Sequence, residues 1–217
     1  MKLFSYESRF SQWMLRISYA CCLNVLWFIC SLPIVTIGAS TAALYYVSLK
    51  IVRGEEGRVF SSFFHSFREN FRQATVIWLI LLAVGAFLGF DGYIAAHLRA
   101  SSSGGAAVFW TIVLALIIGA AVVYTIILLY IFPLVGNVSN TTSSMFKNAF
   151  LIGTHYLFAT ILVFAVHFAM FFAVVRIFTP LIIFGEGLCA MLSAWLLDNV
   201  LRAVSYDPDA DEKAGSE

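Results

Sequence analysis

Four stretches of this chain carry no Asp, Glu, Lys or Arg: residues 17–49, 73–90, 100–146 and 148–175. A helix rises about 1.5 Å per residue and the hydrocarbon core of a bilayer is about 30 Å thick, so about 20 apolar residues cross it. Several of the stretches exceed that length. Of 217 residues, 61% are hydrophobic and 12% charged, against about half and about a quarter in a soluble domain. The 13 basic and 12 acidic residues nearly cancel, which leaves no basic face for nucleic acid. A disordered tail protein and a disulfide-stapled secreted domain are excluded as well. The expected fold is all-α: a polytopic transmembrane helix bundle of four to five spans with interfacial amphipathic helices. Residues 1–206 are expected to form one membrane-embedded domain. Residues 207–217, with Asp207, Asp209, Asp211 and Glu212, would form an acidic disordered tail.

Cys21, Cys22, Cys30 and Cys189 all lie in apolar runs and read as small packing residues rather than a metal site. Phe10, Trp13, Met14 and Ile17 share one helical face opposite Arg9, Gln12 and Arg16, the pattern of a short amphipathic helix in the membrane interface. The N-terminal segment is expected to be retained as an anchor, because the apolar run that follows is too long for a signal sequence. That run, residues 19–49, would measure about 46 Å as a single helix. Pro33 sits near its middle, with Thr36 and Gly38 behind it, and proline removes a donor and clashes with the preceding turn. Two readings stay open: one kinked, tilted span, or two half-helices that enter and leave on one side.

Residues 50–72 are the charged centre. Within them Phe60, Phe63, Phe64, Phe67 and Phe71 recur at helical spacing beside Arg68 and Arg72, a five-phenylalanine stripe. It reads either as an interfacial helix, with the arginines at lipid phosphates, or as a docking helix for a partner protein. Residues 74–90, with an extension to Ala96 left open, form the next expected span, ended by Asp91, with Gly85 and Gly89 as a small-residue packing face. Further spans are expected at residues 108–132, stopped by Pro133 and Gly136, and at 150–175, closed by Arg176. Residues 137–144 read as a loop. A fifth apolar segment at 181–197 starts after Thr179-Pro180 and is interrupted by Gly185-Glu186-Gly187.

Lys and Arg favour the cytoplasmic side of short connections. If residues 19–49 cross the bilayer and the N-terminus is inside, five cations fall inside and eight outside. Flipping the chain puts the basic N-segment outside. If residues 19–49 turn back, eleven lie inside and two, Arg99 and Arg176, outside. The expectation is therefore a broken or re-entrant first segment and both termini cytoplasmic.

Chemistry-bearing constellations are sparse. His65, His97, His155 and His167 occupy separate segments with no metal-binding spacing, and no phosphate loop or nucleophile elbow occurs. No cofactor is expected, and His167 reads as a hydrogen-bonded packing residue. Glu186 stands out, because a carboxylate in an apolar segment is costly and by default marks a functional site or a buried pair. Its candidate partners are Arg176 and His167. The competing reading puts it at a helix start near water, where the dipole favours an anion. Asn24 and Asn199 are candidates for polar contacts between helices. A membrane-embedded enzyme would have only Glu55-Glu56 with Arg53, Arg58 and His65 to work with.

The run from Asn24 through Trp27, Pro33 and Gly38, continuing over Ala42–Val47 and Arg53-Gly-Glu-Glu-Gly to Phe63-Phe-His-Ser-Phe-Arg-Glu-Asn-Phe, resembles the YesL family of bacterial integral membrane proteins. Members commonly stand near genes for ABC-type sugar uptake and polysaccharide breakdown. The resemblance therefore implies a plasma-membrane protein alongside carbohydrate transport, with ABC-type sugar permease subunits as partners and the bilayer as its medium. It carries over no catalytic residues, and Glu186 stands where that family more usually has an uncharged residue. The leading expectation is a non-enzymatic accessory or regulatory protein, with Phe60, Phe63, Phe64, Phe67, Phe71, Arg68 and Arg72 as the docking surface. The alternative is a small-solute transporter or channel, in which Pro33, Gly38 and Glu186 mark the broken helices of a binding site.

Overall fold

The computed structural model describes residues 9–55, 58–176 and 182–205. Every regular element among them is helical: α1 (Arg9–Ser31), a 3-10 turn (Ile34–Thr36), α2 (Ile37–Val52), α3 (Val59–Ser101), α4 (Gly105–Asn137), α5 (Thr142–His155), α6 (Leu157–Arg176) and α7 (Ile182–Ser205). Ile34–Val52, α3, α4 and α6 are long and apolar enough to cross a membrane. Exposed side chains such as Phe87, Phe90, Leu116, Ile161 and Phe168 cover them. In water that surface would aggregate; in a bilayer it is the solvated face. This is a polytopic helical membrane bundle.

The first apolar run is two helices folded back on each other, not one kinked span. Pro33 ends the α-helical ladder and the chain tightens into the 3-10 turn. There the Thr36 hydroxyl donates to the Cys30 carbonyl at 2.6 Å and lies 2.7 Å from the Pro33 carbonyl, satisfying acceptors that the break leaves free. Across the hairpin the Trp27 indole donates to Thr41 Oγ1 at 3.0 Å, and the Ser31 and Ser40 hydroxyls meet at 2.5 Å. The tip, with Leu32, Ile34 and Val35 exposed, is tied to α3 by the Trp78 indole, which donates to the Ile34 carbonyl at 2.8 Å.

Helix α2 is the buried centre, with small residues that let neighbours approach to backbone contact. A Cβ added at Gly38 would stand 2.5 Å from the Ala74 carbonyl oxygen of α3, and one at Gly136 of α4 would stand 2.5 Å from the Ala42 carbonyl oxygen. Both approaches are closed to any larger residue.

Helix α3 runs unbroken for 43 residues, about 64 Å. The Phe-rich segment and the following span are thus one helix, and Asp91 does not end it. One half-exposed carboxylate costs a helix little, and no proline follows before the serines that accompany its end, where Ser101 and Ser102 hydroxyls donate to the His97 and Leu98 carbonyls. Helix α4 returns antiparallel, with the Tyr124 hydroxyl donating to the Leu81 carbonyl at 3.1 Å and Arg99 Nε to Thr111 Oγ1 at 2.9 Å. Of the small-residue pair, Gly85 makes room for the Tyr124 ring while Gly89 faces open space. Pro133 lies inside α4 and does not stop it; the helix closes at Asn137, whose amide donates to the Pro133 carbonyl at 2.9 Å.

The expected loop at 137–144 shortens to 138–141, because Thr141 caps α5 by accepting from the Ser144 amide. The expected span at 150–175 divides at Tyr156 into α5 and α6. The Thr160 hydroxyl donates to the Gly153 carbonyl at 2.7 Å and meets the Tyr130 hydroxyl at 2.8 Å, holding the bend where the α-helical ladder is interrupted. Helix α7 passes through Gly185-Glu186-Gly187 without a break. Thr179-Pro180 and the acidic tail lie outside the described residues.

Candidate functional site

Two places collect the residues singled out by sequence. The first is the N-terminal third of α3. Its phenylalanines divide by angle around the helix. Phe63 is fully buried, and Phe67 is half-buried, 6.3 Å from the Phe63 ring and 5.5 Å from that of Phe71. Phe60, Phe64 and Phe71 are exposed, at 57%, 41% and 37%, and form a free aromatic edge beside exposed Arg68 and Arg72. Ser61, Phe64, His65, Arg68 and Glu69 line a shallow open depression on this side. The stripe is thus half core and half surface, a division that a helical period alone does not reveal.

The second place is a cavity of about 160 Å³ between α1, α6 and α7, lined by Trp27, His167, Met170, Phe171, Val174, Gly185, Glu186 and Cys189. Asn24 helps build it: its Oδ1 accepts from the Gly187 amide at 2.6 Å, which pins α7 to α1 as its polar character suggested. Gly187 itself sits on the Ala20 backbone with no room for a side chain. His167 Nδ1 lies 2.9 Å from the Val163 carbonyl, and Nε2 lies 3.3 Å from the Tyr45 hydroxyl. A carbonyl only accepts, so Nδ1 carries a proton, and a neutral ring then accepts from Tyr45. Glu186 is half-buried at α7's second turn, its electrostatic neighbour being His167.

Pro33 lies exposed at the hairpin tip and Gly38 against α3, so neither lines this cavity and the three transport-site candidates are not brought together. The acidic cluster proposed around residue 55 does not assemble from its described members. Arg53 is committed to Asp198 at 2.6 Å and His65 to Glu69 at 3.4 Å, while Glu56 lies outside the described residues. Sequence reasoning passed over Asp198, whose Oδ2 also accepts from Arg202 Nε at 3.1 Å; its signal was the i, i+4 spacing to Arg202. Burial pushes the Asp198 carboxyl up, but hydrogen bonds from Arg53 and Arg202, and their charges, outweigh it and hold the group below its ordinary value.

Residues 20–92 match the profile of a family described as "Protein of unknown function, DUF624". Over 130 residues the chain is 28% identical to "Uncharacterized protein YesL" of Bacillus subtilis (strain 168), covering 58% of this chain and 56% of that protein. The two matches support one family. It is a YesL-like family of unknown function. The chain spans a little over half the length of the curated relative, and no solved structure matches. With a bacterial relative and four membrane-length helices, the features are those of a bacterial membrane protein. The family match takes in the α1–α2 hairpin and the aromatic edge of α3 and stops before His167 and Glu186.

Proposed function

We propose that the chain is a non-enzymatic accessory or regulatory partner of a carbohydrate transport system of the ABC type, docking on a permease subunit through Phe60, Phe64, Phe71, Arg68 and Arg72. It works in a bacterial plasma membrane with both termini cytoplasmic. The observation that carries the reading is the continuity of α3. A helix lying flat in the interface would have to break away from its transmembrane part. Here residues 59–72 belong to the same unbroken helix as the uncharged stretch 73–90, whose 18 residues rise about 27 Å, close to the whole hydrocarbon thickness of about 30 Å. The three exposed phenylalanines therefore stand beyond the lipid core, where an aromatic surface beside arginine has the composition of a protein interface.

The edge lies inside the segment that matches the family, and the resemblance supplies the carbohydrate context. With α3, α4, α6 and α7 all crossing, the folded-back α1–α2 hairpin would leave eleven of 13 cations on the cytoplasmic side, the bias expected of such connections. The alternative of a small-solute transporter or channel draws its support from the Glu186 cavity, which at about 160 Å³ is a pocket rather than a path.

The test is affinity purification of the tagged chain from its own membranes in mild detergent. Permease subunits should co-purify, be lost with the double change Phe60→Ser and Phe64→Ser, and be retained with Phe87→Ser in the apolar part of α3. Their absence from the wild-type material would overturn the reading.

A further inference from the structure

The cavity at Glu186 has a composition that the docking edge does not use. We propose that it is a binding site for a small organic ammonium ion, with Glu186 as counter-charge and Trp27 and Phe171 as aromatic walls. Glu186 has no ion-pair partner among the described residues. Ion pairs join Arg53 and Arg202 to Asp198, His65 lies 3.4 Å from Glu69, and none of these contacts reaches Glu186. Residues 177–184, which lead into Glu186, contain no basic side chain, and Arg176 is exposed at the end of α6.

His167 is the nearest candidate cation, yet both its nitrogens are engaged elsewhere, one on the Val163 carbonyl and one on the Tyr45 hydroxyl. Neither contact joins its ring to Glu186. The other titratable neighbours, Tyr45 of α2 and Cys189 of α7, are neutral when protonated. An apolar cavity disfavours the ionised form of a carboxyl that has no paired cation, and an incoming cation is what lets Glu186 carry its charge there.

The walls select the kind of cation. Trp27, Phe171 and Met170 line the space, and aromatic faces attract ammonium and quaternary nitrogen while a hard metal ion wants several oxygens. The volume of about 160 Å³ is close to that of a cavity that takes up benzene, which suits a head group of a few heavy atoms. Such a group can arrive as a free amine or as the ethanolamine or choline head of a lipid.

Isothermal titration of the full chain in detergent with tetramethylammonium and methylammonium chloride, against sodium chloride at equal ionic strength, tests the site. Saturable binding of the ammonium salts is expected, weakened at least tenfold by Glu186→Gln and several-fold by Phe171→Leu. Phe171 is 65% exposed, so its variant keeps the fold even if the Glu186 variant does not. No saturable binding to the wild type, or equal binding by wild type and both variants, overturns the proposal. Thermal unfolding in phosphatidylglycerol vesicles, with and without phosphatidylethanolamine or added methylammonium, separates the sources. A shift that needs the ethanolamine lipid and is lost in the variants assigns the site to a head group; a response to the free amine alone assigns it to a solute. The site stands or falls independently of permease docking.

Discussion

Arg53, at the end of α2, sets its Nε 2.6 Å from Oδ1 of Asp198 on α7, two residues 145 positions apart. With Arg202 Nε at 3.1 Å on the other carboxylate oxygen, this joins the end of the hairpin to the last helix. Only 14% of the Asp198 side chain is exposed, so the contact is shielded more than a surface pair. Asp198→Asn is expected to cost about 2 kcal/mol, the range of a hydrogen bond to a charged group, measured by thermal unfolding in detergent. A carboxyl held below its ordinary 3.8 contributes stability that is present above its unfolded pKa and lost as pH falls through the lower folded value. Wild-type stability should therefore drop as the pH is lowered below about 4, with a smaller drop in Asp198→Asn.

The hairpin gives a second prediction. The Ser31 and Ser40 hydroxyls lie 2.5 Å apart, which only a folded-back chain allows; in one continuous helix nine residues would separate them by about 13 Å. With the four native cysteines replaced by alanine, Ser31→Cys and Ser40→Cys should form a disulfide under mild oxidant. Failure to cross-link, with both thiols reactive to a small membrane-permeant reagent, would favour the single kinked span.

Two glycines on neighbouring helices should respond oppositely to the same change. Gly38→Ala pushes a methyl group to within 2.5 Å of the Ala74 carbonyl oxygen and 2.6 Å of Trp78 Cβ, forcing α2 and α3 apart. An unfolding cost of about 1–3 kcal/mol is expected, as for overpacked cores. Gly89→Ala meets nothing within 4 Å and should be neutral or stabilising by up to about 1 kcal/mol through helix propensity. Paired melting curves decide it.

The membrane class and helical content were legible because they depend on run length and the rarity of charge. The break at Pro33 was legible too, because proline acts locally. The continuity of α3 through Asp91 and of α7 through Gly185 and Gly187 was not: those residues weaken a helix only slightly, and packing against α4 and α1 decides the outcome. The division at Tyr156 was hidden for the converse reason, since Thr160, Gly153 and Tyr130 hold it from three separate positions. At the candidate site, Glu186 and the phenylalanine stripe were visible as residue types. The separation of Phe63 from Phe64, and the engagement of His167 by Tyr45, depend on neighbours far away in the chain.

The most direct measurement is photo-cross-linking in native membranes from a benzophenone side chain at position 64, with position 87 as the lipid-facing control. Position 64 should capture a permease subunit of a sugar transporter, and position 87 should capture lipid. Lipid adducts at both positions, with no protein adduct at 64, would contradict it.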